Sequence, residues 1–326
     1  MKAIVYHNDR SSPLKLEDIE KPTAGDDEVL IKVRAASINP LDSHLLRHAA
    51  IRRVMSVLSK GKTNRPGRDV AGEVEAVGSN VTQFKTGDAV FGGCGGAFAE
   101  YACASSSALA LKPDNVSFEQ AASVPVAGLT ALQGLRDKGQ IQPEQKVLIN
   151  GAAGGVGTFA VQIAKSVGAE VTGVCSTRNV EMVRSIGADH VFDYTQEDFT
   201  KSGQHFDLIF DLVANHSFSA RRRVLNPTGI YIGAGVLAGP SMIGLLAGLI
   251  TDLVLSRFVS QKFVTFMAKL RTEDLTILGD LMKAGKVTPV IDRCCSLSEV
   301  PEAIRYLEAG HARGKVVITR EHNDTA

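Results

Sequence analysis

A glycine-rich turn between a strand and a helix constrains this chain more than any other feature. Lys146 to Gly168 reads KVLINGAAGGVGTFAVQIAKSVG. An apolar run feeds the turn, and a helix-forming run leaves it. Gly154, Gly155 and Gly157 let the backbone turn tightly and approach a ligand. The helix start then presents unpaired N–H groups and a positive dipole end, which together suit a pyrophosphate. Ala152 stands at the first glycine position of the G-x-G-x-x-G pattern, which loosens the match. The strand before and the helix after restore the required context. Ala153, Gly154, Gly155, Val156 and Gly157 are therefore the expected phosphate cradle of a dinucleotide. The alternative is a purely structural turn.

Strands and helices keep alternating beyond this point. EVTGVCS, HVFDY, FDLIFDLV and IYIGAG read as strands, and NVEMVRSIG as a helix. This rhythm predicts a doubly wound parallel sheet covered on both faces, an α/β fold of the Rossmann type. Upstream, SFEQAASVPVAGLTALQGLRDKG is helical with an interruption at Pro125, and Ser117 with Gln120 form a candidate capping box. The first third differs. KAIVYH, VLIKVRAASI, AGEVEAVG and DAVFGG are short β runs separated by turns, which predicts antiparallel β structure. A helix is expected from Leu41 to Ser59. From Glu273 to Arg320 two helices and two strands, TPVID and GKVVIT, are expected.

The end of the strand after the glycine loop selects the nucleotide. An NAD site usually places an acid there for the ribose 2′-OH. This chain has Ser176-Thr177-Arg178 instead. Two hydroxyls and an arginine suit a 2′-phosphate, so NADPH is favoured over NADH. The alternative is that Arg178 is a solvated helix-start residue.

At 326 residues two lobes are expected. Lys and Arg total 36 against 35 Asp and Glu, so no basic excess points to nucleic acid. The five cysteines are scattered, without CxxC spacing, which argues against a disulfide framework and a four-thiolate zinc knot. The start MKAIVYHNDR has neither an apolar signal core nor a transit-peptide composition, so a cytoplasmic location is the expectation. One stretch stands apart: no residue from Gly229 to Thr251 is charged. Gly233, Gly235, Gly239 and Pro240 interrupt it, which disfavours a membrane span. A lid, a subunit contact or a membrane contact through residues 237–255 remains open.

Several motifs together resemble the zinc-independent quinone oxidoreductase branch of the medium-chain dehydrogenase/reductase superfamily. They are Asn39-Pro40-Leu41-Asp42, Gly67-Arg68-Asp69-Val70-Ala71-Gly72, Gly87-Asp88-Ala89-Val90, Pro125-Val126-Ala127-Gly128-Leu129-Thr130-Ala131, the glycine loop, and Gly310 to Val317. The resemblance covers nearly the full chain. It implies a GroES-like β domain over residues 1–122, an NADP(H)-binding Rossmann domain over 123–265, and a C-terminal segment, 266–326, that returns to the first domain. The active-site cleft would lie at their junction. Zinc-dependent relatives carry Cys near Asn39 and His near Arg68, so no metal is expected. The resemblance further implies Asn39 and Pro40 beside the nicotinamide, Thr130 near its carboxamide and Tyr194 near the adenosine phosphate. Gly233, Ala234, Gly235 and Val236 would pass along the nicotinamide, and Lys315 would approach the cofactor. Several relatives carry Tyr where this chain has His44. His44 is thus a candidate proton donor, the alternative and favoured reading being an exposed helix residue alongside His48, and Asp42 orients loop backbone rather than acting as an acid. Homodimerisation is implied too.

Three functions follow as candidates: reduction of quinones or α,β-unsaturated carbonyls by NADPH, metal-free alcohol dehydrogenation or carbonyl reduction, and NADPH binding by a membrane-associated accessory protein. The first is favoured. Without a metal, nothing stabilises an alkoxide, whereas conjugate reduction needs mainly alignment and a polarised acceptor oxygen.

Overall fold

The computed structural model describes residues 1–7, 14–47, 65–234, 259–310 and 312–319, with the side chains of residues 44–47 excepted. It divides into two compact units. One comprises residues 1–129, 270–285 and 289–326; the other comprises residues 130–269 and 286–288.

The first unit begins with an antiparallel pair, β1 (Lys2–Tyr6) and β2 (Leu14–Asp18). Then come β3 (Glu28–Ile38), β4 (Asp69–Val77), β5 (Ala89–Gly93), β6 (Tyr101–Ser105) and β7 (Leu109–Leu111). All their pairings are antiparallel. Strand β3 alternates Val29, Ile31 and Val33 toward a core that also takes Val70, Val74, Phe98, Leu109 and Ile304. The helix expected from Leu41 is present as Pro40–Arg47; its continuation to Ser59 lies outside the described residues. Pro40 occupies the first helical position, where its missing N–H costs nothing. The helix Phe118–Ala122 opens on the expected capping box of Ser117 and Gln120, and a second helix starts at Pro125.

Among the described residues the second unit is built on six parallel strands. In chain order they are β8 (Lys146–Asn150), β9 (Glu170–Cys175), β10 (His190–Asp193), β11 (Phe206–Asp211), β12 (Leu225–Gly233) and β13 (Lys262–Thr265). Their order across the sheet is β10-β9-β8-β11-β12-β13. Strand β8 follows the loss of periodicity expected when both faces are covered: Val147, Leu148 and Ile149 are all buried. The helix Gly155–Val167 lays Phe159, Ala160, Ile163 and Ala164 inward and ends on Gly168 in the left-handed conformation. The strand order reverses between β8 and β11, where open α/β sheets bind ligands at the carboxyl ends of their strands.

The chain then returns to the first unit with helices Thr272–Lys283 and Val300–Glu308 and strands β14 (Ile291–Ser296) and β15 (Lys315–Thr319). Strand β15 lies between β14 and β3. The expected TPVID strand begins later, at Ile291. Pro289 cannot donate to a ladder, and β14, at the sheet edge among the described residues, is mostly half-buried without a readable apolar face.

Candidate functional site

The phosphate cradle lies in the second unit. Both Gly151 and Ala152 donate their N–H groups to Val174 O, at 3.2 and 3.0 Å, which ties the loop to β9. Gly151 has φ +90°, so it makes the tight turn that the first glycine of the pattern usually makes. Ala152, one residue on, packs its methyl where Gly173 leaves room: a Cβ on Gly173 would lie 3.1 Å from it. This explains how the loop tolerates alanine there. Gly157 is indispensable, since its Cβ would stand 2.1 Å from Gly151 O. The helix therefore seats directly on the loop. Its N-cap, Gly154, has no side chain to close over the first-turn N–H groups of a helix 13 residues long. These observations fit a bound pyrophosphate.

At the end of β9 the structure shows an acid that sequence reasoning passed over. Asp193, at the end of neighbouring β10, accepts the Thr177 hydroxyl at 2.6 Å. It also accepts Thr195 N–H and Oγ1–H at 3.0 and 2.7 Å, and Gln196 Nε2 at 2.8 Å. The Thr177 hydrogen bond, with those of Thr195 and Gln196, holds the Asp193 carboxyl down to about 2. Its oxygens are therefore committed to this turn. The only hydroxyl hydrogen of Thr177 is committed with them. Ser176 Oγ accepts from Asn179 Nδ2 at 3.1 Å, which keeps the serine hydrogen available. Ser176 and Arg178 are the groups suited to a 2′-phosphate. Tyr194 follows directly and is 63% exposed.

A second unforeseen network stands at the strand-order reversal. Asn150, ending β8, donates Nδ2 to Asp211 Oδ1 at 2.9 Å. Asp211, ending β11, takes the Tyr231 hydroxyl at 2.8 Å and the N–H groups of Val213 and Ala214. Burial pushes the Tyr231 phenol well above its ordinary range, so it stays a donor. The expected nicotinamide-side residues Gly233 and Ala234 follow from β12, with Ala234 N–H bonded to Asp211 O at 3.1 Å. Gly235 and Val236 lie outside the described residues, as do 237–255.

The other expected residues form a buried cluster in the first unit. Lys315 is 3% exposed and its ion-pair partner Asp69 is 0% exposed, with Nζ to Oδ2 at 3.3 Å. The ammonium also donates to Asn39 Oδ1 at 2.7 Å and Ile38 O at 3.3 Å. Asp69 Oδ2 takes Ser37 Oγ and Asn39 Nδ2 at 2.7 and 2.9 Å, and Oδ1 takes Val126 N–H at 3.0 Å. Both ends of the Asn39 carboxamide are thus fixed, with one N–H left uncommitted among the described residues. The expectation that Lys315 approaches a cofactor meets an ammonium whose three donors already have partners in this cluster. Asp42 accepts Asn39 N–H at 2.8 Å. Burial, with the Asp69 charge adding to it, raises its carboxyl to about 7 against opposing contributions that include the Asn39 hydrogen bond.

Of the remaining candidates, Pro40 is exposed and Thr130 is half-buried in the helix Pro125–Gln133. His44 belongs to the helix Pro40–Arg47, but its side chain lies outside the described residues. Burial lifts the Cys94 thiol to about 12, so it is not a nucleophile. All five cysteines are free. Among the described residues no group of three or more His, Cys, Asp or Glu side chains is placed to hold a metal ion. No described helix is long and apolar enough to cross a membrane.

Known proteins fit both units. Residues 25–114 match the family described as alcohol dehydrogenase GroES-like domain, and residues 186–318 the one described as zinc-binding dehydrogenase. Over 98% of both chains the sequence is 34% identical to the chloroplastic quinone-oxidoreductase QR1 of Triphysaria versicolor. The chain belongs to the medium-chain dehydrogenase/reductase superfamily of oxidoreductases. It is also 36% identical to the mitochondrial NAD(P)H oxidoreductase RTN4IP1 of Mus musculus, over 89% of this chain and 81% of that one. Among solved structures, the quinone oxidoreductase from Coxiella burnetii superimposes with a TM-score of 0.86 at 32% identity, covering 98% of this chain and 99% of that one. Within this superfamily the parallel sheet and the GroES-like domain are both accounted for, as the resemblance implied.

Proposed function

We propose that this oxidoreductase reduces quinones or α,β-unsaturated carbonyls with NADPH. The observation that carries the reading is the glycine N-capped helix beside the strand-order reversal, with Ser176 and Arg178 at the end of the next strand and Asp193 committed elsewhere. The names of relatives support it, two being quinone oxidoreductases and one an NAD(P)H oxidoreductase. When bound, NADPH supplies a hydride for an electron-poor carbon, and quinones and enones share one because their carbonyl is conjugated.

The protein's own residues bind, orient and polarise. The first-turn N–H groups after Gly154 hold the pyrophosphate. Arg178 and Ser176 hold the 2′-phosphate through charge-assisted hydrogen bonds. Asn39 offers its uncommitted N–H to the acceptor oxygen, fixed by Asp69 and Lys315. Asp42 holds the Asn39 backbone. His44 or solvent delivers the proton.

The test is loss of reduced-nicotinamide absorbance with a panel of benzoquinones, naphthoquinones and alkenals. The expected result is turnover with NADPH, slower turnover with NADH, and loss of that preference in Arg178→Ala. Tight NADPH binding without turnover of any acceptor sinks the reading. A preference for NADH sinks the role given to Ser176 and Arg178.

A further inference from the structure

The exposed turn that follows β10 directs its donors onto one carboxylate. Thr195 gives Asp193 Oδ1 both its N–H and its hydroxyl, at 3.0 and 2.7 Å. Gln196 gives Oδ2 its Nε2 at 2.8 Å, and the Thr177 hydroxyl, just past β9, adds a fourth bond to Oδ2 at 2.6 Å. Each oxygen therefore has two donors, and all four are neutral. A carboxylate has about four acceptor positions, so Asp193 is saturated.

The position of Asp193 gives that saturation a meaning. It pairs with Cys175, the last residue of β9, across the parallel ladder. The end of that strand is where an NADH-binding sheet carries its ribose-binding acid. Asp193 stands one strand over, a spacing of about 4.8 Å. Its charge is felt at the β9 position too: burial, with Asp193 adding to it, lifts the Cys175 thiol to about 11. A carboxylate there with an open acceptor position would take a ribose 2′-OH and repel a 2′-phosphate. Saturated, it has no position left for the hydroxyl. The four donor dipoles point their positive ends at it and shrink the field it projects toward Ser176 and Arg178.

We propose that Thr195 and Gln196 are specificity-determining residues: by occupying Asp193 they keep the protein from taking NADH in place of NADPH. The proposal rests on the NADPH reading of this end of the site. Its test is the Thr195→Val/Gln196→Leu double variant, which removes one donor from each Asp193 oxygen at two exposed positions. Fluorescence titration with NADPH and with NADH, without any acceptor, gives the ratio of their dissociation constants. The parent should favour NADPH. The double variant should lose about tenfold of that ratio, through weaker NADPH and tighter NADH. Adding Asp193→Asn should restore the preference, because the carboxamide carries no charge. A turn that was merely loosened would weaken both nucleotides together and would not be rescued. An unchanged ratio in the double variant of an NADPH-preferring parent overturns the proposal and leaves the cofactor reading standing. So does a shift that Asp193→Asn fails to reverse. A parent that prefers NADH overturns both.

Discussion

The glycine loop and the Asn39–Asp69–Lys315 cluster are built by opposite means. The loop presents backbone, and its shape depends on side chains being missing. A dozen consecutive residues suffice to build it. The cluster works with side chains, and its two charged members are 246 residues apart in sequence. One is a local device that tolerates little added volume. The other is a long-range device that tolerates no unmatched charge. A substitution should therefore damage the loop through sterics and the cluster through electrostatics.

The largest effect is expected from Lys315→Met. It leaves Asp69 buried without its cation, which typically costs about 3–5 kcal/mol. Urea denaturation should show this loss, and adding Asp69→Asn should recover most of it. No recovery would mean that Lys315 acts through packing alone. Next comes Asp42→Asn. The Asp42 carboxyl titrates at about 7 when folded and near about 3.9 when unfolded. The folded protein therefore binds the extra proton, and stability drains away as pH rises from about 4 to about 7. The asparagine variant should be more stable than the parent at about pH 8, by roughly 2–4 kcal/mol, and equal to it near about pH 4. A pH-independent difference would refute the assignment.

The loop predictions are smaller. Gly157→Ala forces its methyl against Gly151 O, so the helix must lift. Cofactor affinity should fall by about ten- to hundredfold, roughly 1.4–3 kcal/mol, in equilibrium titration. Unchanged affinity would show that the cradle does not need helix and loop in contact. Ala152→Gly restores the common glycine pattern yet removes a buried methyl. It should cost about 1 kcal/mol in thermal melting and leave cofactor affinity within about twofold. A marked gain in affinity would mean that Ala152, rather than Gly151, sets the turn.

The same contrast explains what was legible in the sequence. The loop could be read because glycine spacing, strand before and helix after all lie within one segment. The capping box of Ser117 and Gln120 could be read for the same reason. Asp193 could not. It reaches Thr177 across neighbouring strands, and no periodicity in the chain signals that pairing. Asp69 sat in plain view within a quoted motif. Its importance depends on the burial of Lys315, and burial of a lysine is not a property of its sequence neighbourhood. A lysine leading the apolar strand KVVIT, at a position expected to pack, was the available hint. Strands β2, β6, β7 and β13 escaped notice because they are short, or lie at sheet edges with mixed burial. The Asn150–Asp211–Tyr231 network escaped because three strands supply one residue each.

The placement of β15 between β14 and β3 has a consequence for how the chain is made. Strands β3 and β4, the second of which begins at Asp69, leave the ribosome long before residue 315 is synthesised. Until then this sheet lacks an inner strand, and its buried acid lacks a counter-charge. The intervening parallel-sheet unit has all its strands available much earlier. Folding during synthesis should therefore run from the middle outward, with the first residues made among the last to reach their final packing.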